Sequence, residues 1–294
     1  MKLKPRSCGE KEDLELDVSM DGLIHDLMRA RGMDLSMYDE AFLRQTITRG
    51  MTECGFTSAT AYGDYLIGDR VAAEGFLGAL RIVHSEFFRN PLTFALLEQT
   101  LLPNLIAEHR QSGHGEVRVW SAGCAAGQEA WSVAILLEEL NGAGAVPYRI
   151  FATDRSAGDL VTARAGVYSV EALGNVRSRH LRDYFTRRGE AYAIDERLRR
   201  RVDFSVYDLL DEDSSCPDAS IYGDFDLILC CNLFFYYRPE IRQRILAKLC
   251  RVLAPGGYFV TGEVERDSVN AQNGLRPVST GFSVFQKPKI RFFP

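Results

Sequence analysis

Apolar residues recur at three- and four-residue spacing from Met20 to about Phe88. Leu23, Ile24, Leu27 and Met28 share one helical face, and Phe42, Leu43 and Ile47 share the next. Tyr62, Tyr65 and Leu66 continue the pattern after the turn Gly55-Phe-Thr-Ser58, where Thr57 or Ser58 is the expected N-cap. This predicts a small all-helical domain over 19–90. Residues 1–18 are charged, with little to bury, and are expected to be loosely ordered. Pro91 opens a further helix, read as a linker over 91–110.

At Gln111-Ser-Gly-His-Gly115 the pattern changes. Apolar runs suited to buried strands now alternate with helical segments: strand 117–122, helix 128–140, strand 149–153 and helix 157–165. The rhythm resumes with strand 225–231, a helix from Pro239 to Leu253, the turn Ala254-Pro-Gly-Gly257 and strand 258–261. Such alternation predicts an α/β domain over 111–294, built on a doubly wound parallel sheet. Residues 166–204 interrupt it with short strand-like pieces, Tyr192–Ile194 and Val202–Phe204, around the turn Arg187-Arg-Gly-Glu190. They read as a small inserted subdomain. Phe282–Gln286 and Ile290–Phe292 are expected to form a closing hairpin.

The chemistry gathers where strands meet turns. Strand 117–122 runs into Gly123-Cys-Ala-Ala-Gly127, with Glu129 in the first turn of the next helix, and strand 149–153 ends in Asp154. A glycine turn after one strand and an acid at the tip of the next suit a nucleoside, the acid taking ribose hydroxyls. The turn lacks the third glycine of Gly-x-Gly-x-x-Gly and the Lys-Ser/Thr of a P-loop, so it lacks the usual phosphate cradle. A nucleoside without pyrophosphate fits best, and S-adenosylmethionine is the common one.

Bulk composition narrows the classes further. The 294 residues are 46% hydrophobic and 26% charged, with net charge -5, which argues against nucleic acid as a partner. The seven cysteines show no metal-ligand spacing, and reduced thiols of a cytoplasmic protein are the simplest reading. Neither a signal peptide nor a bilayer-spanning run is evident. A monomer without metal and without direct membrane insertion is expected.

Seven segments occur in an order and spacing that resemble one family. They are Ser85-Glu-Phe-Phe-Arg-Asn-Pro91, the Gly123–Glu129 turn, Ala152-Thr-Asp154, Ala165-Gly-Val-Tyr168, Tyr207-Asp-Leu-Leu210, Cys231-Asn-Leu-Phe-Phe-Tyr236 and Leu253-Ala-Pro-Gly-Gly257. Together they resemble the CheR family of chemotaxis-type protein-glutamate O-methyltransferases, from about residue 20 to the end. The resemblance implies a helical N-terminal domain and a Rossmann-like, S-adenosylmethionine-dependent methyltransferase domain carrying a small β-subdomain. It implies methyl transfer to glutamate carboxylates of a chemoreceptor or related signalling protein. Where the family usually has Gly-Glu-Glu-Pro-Tyr, this chain has Gly127-Gln-Glu-Ala-Trp131. Asp208 replaces an Asn, Cys231 an Arg, Ser85 a Thr, and Val83 a polar residue.

The resemblance places Arg89 and Tyr236 in the catalytic site. A guanidinium can clamp a carboxylate in two-pronged geometry, whereas by itself Arg89 reads as a surface arginine beside Phe87 and Phe88. The Tyr236 hydroxyl is expected to orient the substrate carboxylate, although Phe234-Phe-Tyr-Tyr237 alone reads as core. The cofactor set is Ser85, Arg89, Gly123, Glu129, Asp154, Asp208, Leu209, Cys231 and Asn232. Glu129 would take the amino group of the methionine part, or merely complement a helix dipole. Asp208 would accept from the adenine amino group, or cap the turn at Leu209-Leu210. Asn232 would serve the ligand or bond locally in a turn.

Two alternatives stay open from the sequence: a non-catalytic S-adenosylmethionine-binding signalling module, and an O-methyltransferase with a different substrate. A nicotinamide oxidoreductase would need the missing third glycine. The insert is rich in arginine, notably Arg177, Arg179, Arg182, Arg187, Arg188, Arg197, Arg199, Arg200 and Arg201. That run is either a solvated face paired with acids such as Glu190 and Asp195, or a docking surface for an acidic protein. The turn Phe185–Tyr192 is short, so a peptide tether at the subdomain is not expected.

Overall fold

The computed structural model describes residues 8–80, 85–113, 115–142, 146–220, 223–269 and 274–289, with side chains from residue 20 onward. Val83 and residues 290–292 lie outside them. The chain divides into two compact units, one of residues 1–82 with 235–239, the other of 83–234 with 240–294.

The first unit holds helices α1 (Cys8–Arg31), α2 (Glu40–Cys54), α3 (Ala59–Gly68) and α4 (Arg70–Ala79). Helix α1 starts well before Met20, so residues 8–18, expected to be loosely ordered, are helical. Leucine, glutamate and lysine favour helix there even with little to bury. Asp39 caps α2 and Ser58 caps α3, each accepting a backbone N–H of the first turn. Leu23, Leu27, Leu43, Ile47, Tyr62 and Leu66 form the core, as the periodicity predicts. Tyr65 is exposed instead, its ring stacked 5.3 Å from that of Phe56. Residues 235–239 complete the unit: Tyr237 stacks on Tyr38 at 5.7 Å, and Tyr38 and Tyr237 form an isolated antiparallel bridge.

The second unit opens with α5 (Pro91–Leu96), a wider π turn (Leu97–Leu101) and α6 (Leu102–Ser112). This segment is not a linker. Phe94, Leu97, Leu101, Leu102 and Leu105 are buried in the core of the α/β unit, because one face of the helix is continuously apolar. The remaining elements are β1 (Val117–Ala122), α7 (Gln128–Asn141), β2 (Tyr148–Asp154), α8 (Ala157–Ala165), β3 (Val167–Ser169), α9 (Ser178–Tyr184), β4 (Phe185–Arg188), β5 (Ala191–Ile194), α10 (Glu196–Arg199), β6 (Val202–Val206), β7 (Phe225–Cys230), α11 (Pro239–Val252), β8 (Leu253–Thr261), β9 (Arg276–Pro277) and β10 (Val284–Gln286).

The large sheet runs β6-β2-β1-β7-β8-β10-β9. β6, β2, β1, β7 and β8 are parallel, and β10 and β9 join antiparallel. Strand order therefore reverses at β1, which places the carboxyl ends of β1, β2 and β7 around the switch point where α/β sheets bind ligands. β1 is buried at every position but Arg118, as a central strand covered on both faces must be.

Three expectations change. Val202–Phe204 belongs to the large sheet, paired in parallel with β2, rather than to the insert. The insert is the antiparallel sheet β3-β5-β4, whose β4–β5 turn is only Gly189-Glu190. Ala254–Gly257 lies within β8 as an irregularity in its pairing with β7. There Gly257 approaches the Phe225 carbonyl closely enough that a Cβ would sit 3.0 Å from its oxygen. Finally, Val284–Gln286 pairs with β8 and β9; the expected partner strand falls outside the described residues.

Candidate functional site

The glycine turn after β1 is held by the tip of β2. Gly123 and Cys124 both donate their N–H groups to the Thr153 carbonyl, at 2.8 and 2.9 Å. Asp154 Oδ2 accepts the Ala125 N–H at 2.9 Å, and Oδ1 accepts the Ser156 N–H at 2.8 Å. Asp154 therefore has a structural duty that its position alone did not reveal. Each carboxylate oxygen still keeps a lone pair for a ligand hydroxyl. Gly127 closes the turn at φ 91°, and a Cβ there would lie 2.9 Å from that of Ala163. Only glycine permits both the dihedral and the contact.

Glu129 stands half-buried in the first turn of α7, accepting from the Ser121 hydroxyl of β1 at 2.7 Å. Burial pushes its carboxyl up from the ordinary range. Hydrogen bonds from Ser121 and from the Cys231 thiol oppose that shift, as does the nearby Arg89 charge, while the Glu265 charge adds to it. Burial and the Glu129 charge together push the Cys231 thiol well up, so it is a neutral donor. Cys231 from the end of β7 thus bonds to Glu129 of α7, and Arg89 from the loop before α5 is near enough for its charge to act on that carboxyl.

The Arg89 loop is set by backbone geometry. Phe88 and Asn90 both have left-handed φ, 50° and 62°. The Phe88 N–H donates to Ser132 Oγ at 2.9 Å, and Ser132 donates to the Gln128 carbonyl at 2.7 Å. Phe88 is buried, stacked 5.2 Å from the His180 ring. Arg89 is therefore carried on a pinned loop, not on a free surface segment.

Asn232 also has left-handed φ, 58°, and is buried. Its N–H donates to Glu265 Oε2 at 2.7 Å, and the Phe234 N–H donates to Oε1 at 2.6 Å. Gly262 N–H and the Thr261 hydroxyl also donate to Oε2, each at 3.1 Å. Glu265, only 1% exposed, is the residue that sequence reading missed. Burial raises its carboxyl pKa, and these four hydrogen bonds favour the ionised form. A signal was present: Glu265 sits three residues after Gly262 at the start of a helical turn, where a glutamate reaches back to the cap N–H. Gly262 itself packs on this loop, since a Cβ would come within 2.9 Å of Asn232 Nδ2.

Tyr207 N–H donates to the Asp154 carbonyl at 3.1 Å, which brings the chain after β6 beside the end of β2. Asp208 follows, half-buried, with Oδ1 accepting the Leu210 N–H at 2.9 Å, the local turn bond of the simpler reading. Leu209 is buried. Ser85 is half-exposed in the loop before Phe87. Tyr236 belongs to the helical unit, its ring edge-on to Phe42 at 4.7 Å and its carbonyl accepting the Asp39 N–H at 2.9 Å. Of the arginines in the insert, Arg177 and Arg179 pair with Glu98, Arg179 also with Glu139, Arg182 with Asp183 and Arg197 with Asp195. Among the described residues no group suited to a metal ion occurs, and no helix is long and apolar enough to cross a membrane.

A reversed parallel sheet with an acid-lined carboxyl edge and a glycine turn lacking phosphate chemistry is that of an S-adenosylmethionine-dependent methyltransferase. The comparisons agree. The profile described as CheR methyltransferase, SAM binding domain, matches residues 83–280. The chain belongs to the CheR family. It is 29% identical over 256 residues to a chemotaxis protein methyltransferase of Listeria innocua, covering 87% of this chain and 93% of the relative. It is 34% identical over 185 residues to chemotaxis protein methyltransferase 1 of Pseudomonas aeruginosa, 61% of this chain and 64% of that one. The Escherichia coli chemotaxis protein methyltransferase is 28% identical over 243 residues, 81% of this chain and 80% of the relative.

The residues present fit S-adenosylmethionine. The ligand carries a sulfonium, an ammonium, a carboxylate and two ribose hydroxyls. The switch point offers the carboxylates of Glu129 and Asp154, and Asp208 follows β6. Carboxylates accept from ammonium and hydroxyl donors alike.

Proposed function

We propose that this protein transfers methyl groups to glutamate carboxylates of a chemoreceptor or related signalling protein. One observation carries the reading: Arg89 lies close enough to Glu129 to favour its ionised form. The site thus holds a cation for a carboxylate acceptor beside an anion for a cationic donor. When bound, S-adenosylmethionine supplies an electrophilic methyl carbon on its sulfonium. Glu129 holds the ligand ammonium, Asp154 the ribose hydroxyls, and Asp208 the adenine amino group, with Ser85, Gly123, Leu209, Cys231 and Asn232 forming the rest of the binding surface. Arg89 clamps the incoming glutamate. A glutamate side chain is already ionised at neutral pH, so the residues need only align it and exclude water.

The two-residue turn between β4 and β5 supports recognition without a peptide tether, since it leaves little extra edge to shape for an added strand. Incubation with radiolabelled cofactor and a lysate of the source cells should place base-labile label on a receptor-type protein. Its methylation should survive removal of the substrate's C-terminal tail. Absence of base-labile label on any protein would defeat the reading; loss of label on tail removal would restore the tether.

A further inference from the structure

Far from the carboxylates, on the β6 edge of the large sheet, five arginines surround one cavity of about 290 Å³: Arg149, Arg164, Arg199, Arg200 and Arg201. Arg149 and Asp154 are five residues apart on β2, about 16 Å at the usual strand rise, so the cavity lies toward the opposite end of the strand. Among the described residues its one lining carboxylate is Asp203, which pairs with Arg149 at 3.1 Å. Arg200 has Glu196 at a loose 3.7 Å. Among the described residues no carboxylate lies within ion-pair distance of Arg164, Arg199 or Arg201.

These charges are held in place by neutral groups. Arg164 donates Nε and Nη2 to the Phe204 carbonyl, at 3.3 and 2.9 Å. Arg199 donates to the carbonyls of Ile194 and Arg164, each at 3.1 Å, and to that of Ala165, closing the end of α8. Arg201 lies over the Tyr148 ring, 5.3 Å from its centroid. Carbonyls and a ring face orient a guanidinium without cancelling its charge. The result is a concave, prearranged cluster of positive charge in a chain whose net charge is -5. Like charges so placed repel one another, and a compact polyanion relieves that repulsion while finding several planar donor forks at once. A single carboxylate matches one fork; a diphosphate has the charge and the oxygens for more, in a volume this small.

We infer that this arginine cavity is a second ligand site, which binds a diphosphate-type anion independently of the methyl-transfer site. Titration calorimetry of the full chain with inorganic pyrophosphate at low salt tests it, with adenosine diphosphate in a parallel arm. Saturable binding of one anion per chain is expected, unchanged when S-adenosylhomocysteine is saturating and weakening as salt is added. Tighter binding of the nucleotide would name a nucleotide as the source, and equal binding the free anion. The double variant Arg200→Gln/Arg201→Gln should bind pyrophosphate about tenfold more weakly, the scale of one lost charge-assisted contact. Its unchanged affinity for S-adenosylhomocysteine would show that the fold is intact. No binding by the wild type, equal binding by the variant, or displacement of pyrophosphate by S-adenosylhomocysteine would each overturn the site. So would binding of a glutamate-rich peptide in place of pyrophosphate, which would make the cluster a protein-docking face.

Discussion

The carboxyl edge of the large sheet and its β6 edge solve one problem with opposite charges. At the carboxyl edge, Asp154 and Glu265 are carboxylates fixed by backbone N–H groups. At the β6 edge, Arg164 and Arg199 are guanidiniums fixed by backbone carbonyls. In both places the main chain orients a charged side chain through its own polar groups. The difference is burial. Glu265 is 1% exposed and its donors have no water to turn to, whereas Arg164 is exposed. A charge that organises buried backbone is structurally indispensable; one that decorates an open edge is not.

Glu265→Ala should break the comparison hardest. It orphans the N–H groups of Asn232 and Phe234 together with two further donors, and should cost on the order of 3 kcal/mol in urea unfolding. Wild-type stability would mean the loop is held by its packing instead. Arg89→Ala should lower methyl transfer about ten- to hundredfold while leaving stability within about 1 kcal/mol, because the Phe88 N–H still ties the loop to Ser132. Unchanged turnover at saturating substrate would remove Arg89 from the site.

Asp154→Ala is expected to weaken S-adenosylhomocysteine binding by about 1.5 kcal/mol, from lost hydroxyl contacts and a loosened Ala125 N–H. Calorimetry showing full affinity would leave Asp154 only its structural duty.

Glu129 gives a pH signature. Its folded pKa is raised by burial, so it is protonated at a pH where an ordinary glutamate is ionised. A neutral carboxyl loses its attraction for an ammonium. Cofactor affinity should therefore fall as pH drops through that raised value, in a window above the ordinary 4.5, and Glu129→Gln should abolish this dependence. The stability term has the opposite sign: the folded state holds the proton more tightly, so stability declines as pH rises between the unfolded and folded values. Affinity that is flat across the window would exclude Glu129 from ammonium binding. Smallest of all, Arg164→Gln should cost under about 1 kcal/mol of stability, since water can replace its bonds at an exposed edge.

Much of this was legible along the chain. The spacing of Leu23, Leu27, Leu43 and Ile47 foretold the helical core, and the alternation from Val117 onward foretold the parallel sheet. Gly127 was legible because a strand-to-helix turn demands its dihedral, and Asp154 because an acid ending an apolar strand stands out. Residues 91–110 read as a linker from sequence because amphipathic spacing reveals a buried face but not what covers it. Val202–Phe204 was assigned to the insert for a similar reason: a short strand carries no mark of the sheet it will join.

Sequence by itself determined the local terms: which segments are helix or strand, where turns need glycine, which acids and which arginine stand in family positions. These depend on propensity and short-range sterics, which act within a few residues. Only the tertiary structure decided the long-range ones. Glu265 became an anchor because folding brings it to the N–H groups of Asn232 and Phe234, 33 and 31 residues away in the chain. The arginines became a cluster because Arg149 on β2, Arg164 on α8 and Arg199–Arg201 before β6 converge at one sheet edge. Hydrogen bonds and charge interactions depend on distance in space, and that distance exists only once the sheet has formed.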